Sequence, residues 1–149
     1  MHWQARFEIM EKEPYFIIDG SHNPAGVRET VKSIKVYFPD KKIRFIIGIL
    51  SDKNIDEILT DIKPLAKEVA VITPPSSRAC KAKDMLKLVE EKISVSCRAF
   101  ESIKEAVNYM LESAKKEDII CAMGSLYSVG ELKEAFREHG RVGDVCNYK

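Results

Sequence analysis

Short apolar runs alternate along this chain with segments whose apolar residues recur every three or four positions. The runs are rich in β-branched and aromatic residues and predict five strands, at Tyr15–Asp19, Ile43–Leu50, Val69–Thr73, Val95–Phe100 and Asp118–Met123. The helical spacing between them predicts five helices, at about Pro24–Tyr37, Asn54–Lys63, Ala82–Glu91, Ser102–Ala114 and Val129–His139. Because strands alternate with helices, we expect an α/β fold with a mainly parallel sheet and helices on both faces.

The two ends of the chain depart from this alternation. Arg6–Met10 is a further extended run, which Glu11-Lys12-Glu13-Pro14 separates from Tyr15, and it predicts an antiparallel edge strand. At the other end, Gly140 is expected to end the last helix, and residues 143–149 to form a short tail. A length of 149 residues fits a single hydrophobic core, so residues 1–149 are expected to form one domain.

Net charge and hydropathy indicate which kinds of molecule the protein is not expected to bind. The formal net charge is +1, so no global field favours nucleic acid or an anionic membrane, and neither is expected as a partner. No apolar run approaches the roughly 20 residues that span a bilayer. The N-terminus also lacks the apolar segment of a secretory signal, and a cytoplasmic location is expected.

Cysteines and histidines do not predict a metal or redox site. The cysteines form no C-x-x-C pair and lie far apart, at Cys80, Cys97, Cys121 and Cys146. Metal-ligand spacing is absent from the three histidines, His2, His22 and His139. The chain has neither a dinucleotide fingerprint nor a triphosphate-binding loop, and no nucleophile arrangement stands out. The sequence therefore assigns no metal ligand and no catalytic residue to this domain alone.

The most informative segment is the strand-to-helix turn Asp19-Gly20-Ser21-His22-Asn23-Pro24. In an open parallel sheet, ligands bind beyond the carboxyl ends of the strands. Asp19 ends an apolar strand, and the following helix offers free N–H groups and a positive dipole end to an anion. His22 can donate to a carboxylate. A turn that only caps its helix is the structural alternative.

Three more junctions carry polar residues at the same predicted edge. Asp52 and Lys53 follow a buried strand, so Lys53 can meet a phosphate or carboxylate while Asp52 holds it in place. Arg78 follows Pro74-Pro75, and its planar guanidinium group can form two hydrogen bonds to the same anions. Gly124-Ser125 ends the last strand, where a hydroxyl and nearby N–H groups can bind a carboxylate. For each junction a solvated loop is the structural alternative.

Together these segments are more specific than each one is alone. The chain contains, in order, Trp3-x-x-Arg6-Phe7-Glu8, Asp19-Gly20-Ser21-His22-Asn23-Pro24, Asp52-Lys53-Asn54, Arg78-Ala79 and Gly124-Ser125-Leu126-Tyr127. This order closely resembles the C-terminal domain of the folylpolyglutamate synthase / dihydrofolate synthase family, within the Mur ligase superfamily. The resemblance extends from Trp3 to about His139.

The resemblance implies a Rossmann-like three-layer sandwich and a part in an ATP-dependent amide ligase. In such enzymes ATP phosphorylates a substrate carboxylate, and the amine of L-glutamate attacks the acyl phosphate. The acceptor is a folate or dihydropteroate. ATP and Mg²⁺ belong to the parent enzyme and are not expected to be held by this chain alone. The central ATPase domain, which is expected to precede Trp3, is the implied partner, and this domain is not expected to be active without it.

The resemblance also implies roles for individual residues. Arg6 and Asp19 match ATP-binding positions, the arginine at the nucleotide phosphates. His22 and Ser125 match positions of the glutamate site. Possible further contacts are Asn23, Asp52, Lys53 and Arg78.

Some positions depart from the family's usual pattern, and other functions stay open. Gln4-Ala5 stands where the family more often has Pro-Gly, and Ser21 where it more often has Ala. Neither change removes a charged contact residue. One alternative is a free-standing α/β module that binds an amino acid or nucleotide. Another is the same domain of a ligase that builds cell-wall precursors.

Overall fold

The computed structural model describes residues 6–147 and the side chains of residues 6–140. Six strands form one sheet in this part of the chain: β1 (Glu8–Lys12), β2 (Tyr15–Ile18), β3 (Ile43–Ile47), β4 (Ala66–Val71), β5 (Ser96–Ala99) and β6 (Ile119–Met123). The helices are α1 (Pro24–Tyr37), α2 (Ile55–Ile62), α3 (Ala82–Lys92), α4 (Ile103–Glu112) and α5 (Val129–Asn147).

The sheet has the order β1-β2-β6-β3-β4-β5. β1 pairs with β2 in antiparallel fashion, with Glu8 opposite Ile18, and every other neighbouring pair is parallel. The predicted mainly parallel sheet with an antiparallel edge strand is therefore confirmed.

Alternate side chains of each central strand enter two separate cores. Ile17, Phe45 and Cys121 face α1, α2 and α3 on one side of the sheet. Phe16 and Ile46 face α4 and α5 on the other. Because successive side chains of a strand point to opposite faces, an unbroken apolar run is the pattern that a strand covered on both sides requires. The result is the expected three-layer sandwich.

Helix starts follow the predicted capping residues. Asn23 accepts a hydrogen bond from the backbone N–H of Gly26 at 2.8 Å, and Pro24 occupies the first helical position of α1. Ser102 caps α4 by accepting from the N–H of Glu105 at 3.1 Å. Of the helices in the described residues, none combines the length and apolar character that crossing a bilayer requires.

Several element ends differ from the sequence-based expectation. β1 and β2 start and end within two residues of it, but β3 ends at Ile47, and the buried residues through Leu50 continue as irregular chain. A run of apolar residues reports burial and does not separate a strand from a buried loop. α5 passes Gly140 and ends at Asn147, so the predicted tail is wrong. One glycine costs a helix only about 1 kcal/mol, which neighbouring turns can offset.

A charged network closes the end of the sheet where the parallel strands begin. Arg44 is 4% exposed and reaches four groups around it. Its Nε lies 2.9 Å from a Glu68 carboxylate oxygen, and its Nη1 donates to the Met110 carbonyl at 2.9 Å. Its Nη2 donates to the Ser113 hydroxyl, and Asp118 lies 3.8 Å from Nη1. A buried guanidinium is tolerated here because its donors are satisfied.

Asp118 is the second buried charge of this network. Burial by itself raises the pKa of Asp118, but the backbone N–H of Lys115 and the ammonium of Lys67 donate to its carboxylate. Together with the charge of Arg44, they hold the pKa of Asp118 below its usual value. In the same network Tyr109 donates to Glu68 at 2.8 Å, and this hydrogen bond raises the pKa of Tyr109.

We expect Asp118→Asn to lower the free energy of unfolding at pH 7 by about 1–3 kcal/mol, because an uncharged amide replaces a carboxylate that accepts charged hydrogen bonds. The pKa of the Asp118 carboxyl is lower in the folded state than in the unfolded state, where it is about 4. Its stabilisation is therefore present above that pH and is lost as the pH falls through the folded-state pKa. Urea unfolding from pH 7 to pH 2 measures the narrowing difference between the two proteins.

The matched control for this prediction is Glu117→Gln. Glu117 precedes Asp118 and is exposed, so the same loss of charge is expected to change stability by less than about 0.5 kcal/mol. An Asp118→Asn protein as stable as the wild type at pH 7 contradicts the prediction.

Candidate functional site

The carboxyl ends of β2 and β6 form a crevice because their following helices diverge. β2 and β6 are neighbours in the sheet, yet β2 leads into α1 on one face and β6 into α5 on the other. Such a divergence leaves a gap above the strand ends, where ligands of open α/β sheets bind.

A cavity of about 350 Å³ occupies this crevice. Four of the predicted site residues line it: Arg6, Asp19, His22 and Asn23. The remaining wall comes from Phe7, from the turn after β2, from one side of α1 and from Leu126 after β6. The structure thus brings together residues that the sequence separates by more than 100 positions.

Asp19 organises the turn around it. It is 7% exposed, and both carboxylate oxygens accept backbone N–H groups, from Phe7 at 2.8 Å and from Ser21 at 2.7 Å. Asp19 fixes the turn to the segment that follows Arg6, and it also lines the cavity.

His22 and Asn23 occupy the two positions before α1. The Nδ1 atom of His22 lies 3.1 Å from the carbonyl oxygen of Gly20, which orients the ring within the turn. Asn23 uses its side-chain oxygen to cap α1. His22 is half-buried and lines the cavity, so it combines a fixed ring position with access to a ligand.

Ser125 lies beneath the cavity wall. Ser125 is 1% exposed, and its hydroxyl accepts a hydrogen bond from the backbone N–H of Tyr127 at 3.1 Å. This contact caps a short 3₁₀ turn, Leu126–Ser128, which presents Leu126 to the cavity. The structure therefore places Leu126, and not the Ser125 hydroxyl, on the cavity surface.

The other predicted contacts form a second group beside the cavity. Arg78 Nη1 lies 2.9 Å from a carboxylate oxygen of Asp52, and Arg78 Nη2 lies 3.4 Å from the Tyr127 hydroxyl. In the described part of the chain Asp52 thus pairs with Arg78, and the expected pairing with Lys53 is wrong. Ser51 also donates to the carbonyl of Arg78, through its N–H at 2.7 Å and its hydroxyl at 2.9 Å. Arg78 therefore joins three strand-to-helix loops.

Sequence reasoning missed the four cavity residues on α1: Gly26, Glu29, Thr30 and Ser33. Thr30 is 4% exposed, and its hydroxyl lies 3.2 Å from Ser21 Oγ and 3.1 Å from the Gly26 carbonyl. The available signal was a polar residue within the buried stripe of α1, whose other members are apolar.

Two glycines let the loops of the crevice meet. Gly124 has φ +115°, and a Cβ there would overlap the carbonyl oxygen of Gly48. The N–H of Gly124 donates to the Ser21 carbonyl at 2.9 Å, and the N–H of Gly48 donates to Met123 at 3.3 Å. The ends of β3 and β6 and the turn after β2 are thereby held together by backbone alone.

The described residues hold no evident metal or thiol chemistry. Among them, no group of three or more His, Cys, Asp or Glu side chains is placed to bind a metal ion. Cys121 is fully buried, and burial raises its pKa strongly, so its thiol is inert at neutral pH.

Comparison with known proteins gives one family for this chain. A model of the family described as Mur ligase, glutamate ligase domain, matches residues 5–126. The dihydrofolate synthase/folylpolyglutamate synthase of Bacillus subtilis (strain 168) is 24% identical over 136 residues, which are 91% of this chain and 31% of that protein. The UDP-N-acetylmuramoyl-L-alanyl-D-glutamate–2,6-diaminopimelate ligase of Caldanaerobacter subterraneus is 28% identical over 127 residues, 81% of this chain and 26% of that protein.

Solved structures share the fold. The bifunctional folylpolyglutamate synthase/dihydrofolate synthase of Yersinia pestis, complexed with AMPPNP and a Mn ion, has a TM-score of 0.80 and 24% identity. The match covers 91% of this chain and 32% of that one. A further structure of such a bifunctional enzyme holds Mn, AMPPNP and L-glutamate. The chain spans 16% to 31% of the length of the curated relatives named first among its matches, and 32% of the Yersinia pestis chain.

We expect Gly124→Ala to lower the free energy of unfolding by about 2–4 kcal/mol, because the new Cβ combines left-handed backbone strain with overlap on Gly48. Urea unfolding measures this loss.

Gly130→Ala is the control, since no atom lies within 4 Å of the added Cβ there and α5 gains up to about 1 kcal/mol of helix propensity. Equal stability of the Gly124→Ala and wild-type proteins contradicts the assignment of a close backbone contact.

Proposed function

The chain belongs to the family of Mur ligase glutamate ligase domains, and we propose that it is the C-terminal domain of an ATP-dependent ligase that joins L-glutamate to a folate or dihydropteroate. The cavity at the β2–β6 crevice carries this proposal, because it unites Arg6, Asp19 and His22 where an α/β sheet binds ligands. The relatives that support the substrate class are the folylpolyglutamate and dihydrofolate synthases.

The proposed reaction has two steps. A carboxylate oxygen of the acceptor attacks the γ-phosphorus of ATP, which gives an acyl phosphate and ADP. The amine of glutamate then attacks the acyl carbon, loses a proton and expels inorganic phosphate, leaving an amide. The acyl phosphate hydrolyses in water, so a site that closes between two domains protects it.

In this proposal the cavity supplies half of each ligand site. Arg6, at the rim, neutralises nucleotide phosphate charge, and Asp19 anchors the turn beside it. Because Nδ1 of His22 donates to the Gly20 carbonyl, Nε2 is the ring nitrogen available to glutamate, and it donates to a carboxylate when both ring nitrogens carry a hydrogen. A direct contact between Ser125 and glutamate requires its hydroxyl to leave the Tyr127 amide, because that residue is 1% exposed.

The complementary half is proposed to lie on a preceding ATPase domain. The second group, with Asp52, Lys53 and Arg78, lies beside the cavity at the same edge and is suited to face that domain. Mg²⁺ is proposed to be held by that preceding domain together with ATP. A cytoplasmic location, where ATP is available, is part of the same proposal.

A cell-wall ligase is the second candidate, and the diaminopimelate ligase relative supports it. Both candidates use an acyl phosphate and an incoming amino acid, so the cavity alone does not separate them. A panel of acceptors and amino acids, assayed with the complete enzyme, separates them directly.

A free-standing binding module is a further alternative. Tight binding of glutamate or a nucleotide by this chain without any partner domain favours that alternative.

We expect His22→Ala to lower kcat/KM for glutamate by roughly 10- to 100-fold, the effect of losing one hydrogen bond to a charged ligand. The assay measures glutamate-dependent phosphate release by the complete ligase, or by this chain combined with the preceding domain. The KM for ATP is expected to change little.

His139→Ala is the matched control, because His139 lies on α5 and its ring contacts Asn108, away from the cavity. Unchanged glutamate kinetics in His22→Ala contradicts the glutamate role of this residue. Phosphate release by the isolated chain at an ordinary enzymatic rate contradicts the division of the site between domains.

A further inference from the structure

The residue that follows Arg6 is held from two sides. The backbone N–H of Phe7 donates to Asp19 at 2.8 Å. Its ring stacks on the ring of Tyr37, with centroids 5.1 Å apart and planes 23° apart. One contact comes from the end of β2 and the other from the last turn of α1, so the segment is fixed to two different elements.

Phe7 has a backbone conformation that needs such support. Its φ is +51°, in the left-handed region that bulky side chains rarely adopt. A residue stays in this region only when its surroundings hold it there. Its support comes from the Asp19 hydrogen bond and the Tyr37 stack, together with packing of the Phe7 side chain against the core on the α1 side of the sheet.

The side chain of Tyr37 contributes little buried surface to the hydrophobic core. It is 61% exposed at the C-terminal end of α1, and its partner ring is half-buried. A large aromatic side chain in this position has its main contact with Phe7, apart from a tilted contact with Phe38 at 6.2 Å. Its loss therefore affects the placement of the Arg6–Phe7 segment more than it affects folding.

We infer that Tyr37 is a positioning residue that, with Asp19, holds Arg6 at the rim of the cavity before any ligand arrives. This inference rests on the proposed function, in which Arg6 meets the nucleotide phosphates. Preorganisation of the backbone at Phe7 reduces the ordering that binding must otherwise supply, so it strengthens the binding of a phosphate-bearing ligand. The glutamate part of the cavity, at His22, is not held by Tyr37.

The first test does not involve a ligand. Trypsin cleaves after arginine, and we expect Tyr37→Ala to speed cleavage of the Arg6–Phe7 bond roughly three- to tenfold, because the segment loses an aromatic stack. Mass spectrometry follows release of residues 1–6, and cleavage after Arg28, inside α1, reports global opening. Tyr37→Phe keeps the ring and should match the wild type. Val36→Ala is the neighbouring control, since Val36 is 78% exposed.

The second test uses ADP as the probe, titrated into the complete ligase, or into this chain combined with the preceding domain, and followed by calorimetry. We expect Tyr37→Ala to weaken ADP binding by roughly three- to tenfold and Tyr37→Phe to restore it. In an Arg6→Ala background, Tyr37→Ala should have no further effect, because Tyr37 acts through Arg6.

The outcomes separate the two proposals. Unchanged cleavage after Arg6 in Tyr37→Ala overturns the positioning role. The same role is overturned if Arg6→Ala weakens ADP binding while Tyr37→Ala does not. If cleavage responds to Tyr37→Ala but Arg6→Ala leaves ADP binding unchanged, the positioning of the segment stands and the nucleotide contact of Arg6 fails.

Discussion

The ligand edge depends on the close approach of two backbones, at Gly48 and Gly124. Because Gly124 has no side chain, the chain after β6 lies against the backbone of Gly48, and because Gly48 has none, the chain after β3 lies against Ile72 and Pro74. The N–H of Gly124 then reaches the carbonyl of Ser21, which draws in the turn after β2. Because peptide groups form these contacts, the edge keeps its shape while the side chains around it carry the chemistry. Asp19 extends the same scaffold by binding the turn to the segment after Arg6.

Much of the fold is predictable from the sequence because two physical signals agree. Buried strands such as Phe45–Ile47 must be apolar on both faces, and helices such as α1 carry both a buried stripe and a capping residue. The ends are less predictable. Gly48–Leu50 is as apolar and buried as a strand but irregular, and Gly140 lies inside a helix that its neighbours maintain.

The site is predictable in place but only partly in detail. Parallel strands end at one edge, which predicts that the four polar junctions meet there. The first junction lines the cavity with Asp19, His22 and Asn23, beside Arg6, but the predicted residues of the other three junctions do not line it. Which loops pair is a tertiary property that local sequence does not carry: Asp52 lies next to Lys53 in the chain yet pairs with Arg78. The burial of Ser125 likewise depends on packing around a short turn. Thr30 had a local signal, a polar residue in an apolar stripe, but its partner at Ser21 did not.

The network of Arg44, Glu68 and Asp118 has an evolutionary consequence. Its charges are paired with one another at the end of the sheet where the parallel strands begin, while the polar groups of the cavity lie at the opposite strand ends. The two sets share strands but no contacts among the residues described above. Substitutions that adapt the domain to another temperature or acidity can therefore accumulate at one pole, while ligand selectivity diverges at the other. Such a separation allows the ligand edge of one scaffold to change without refitting its core.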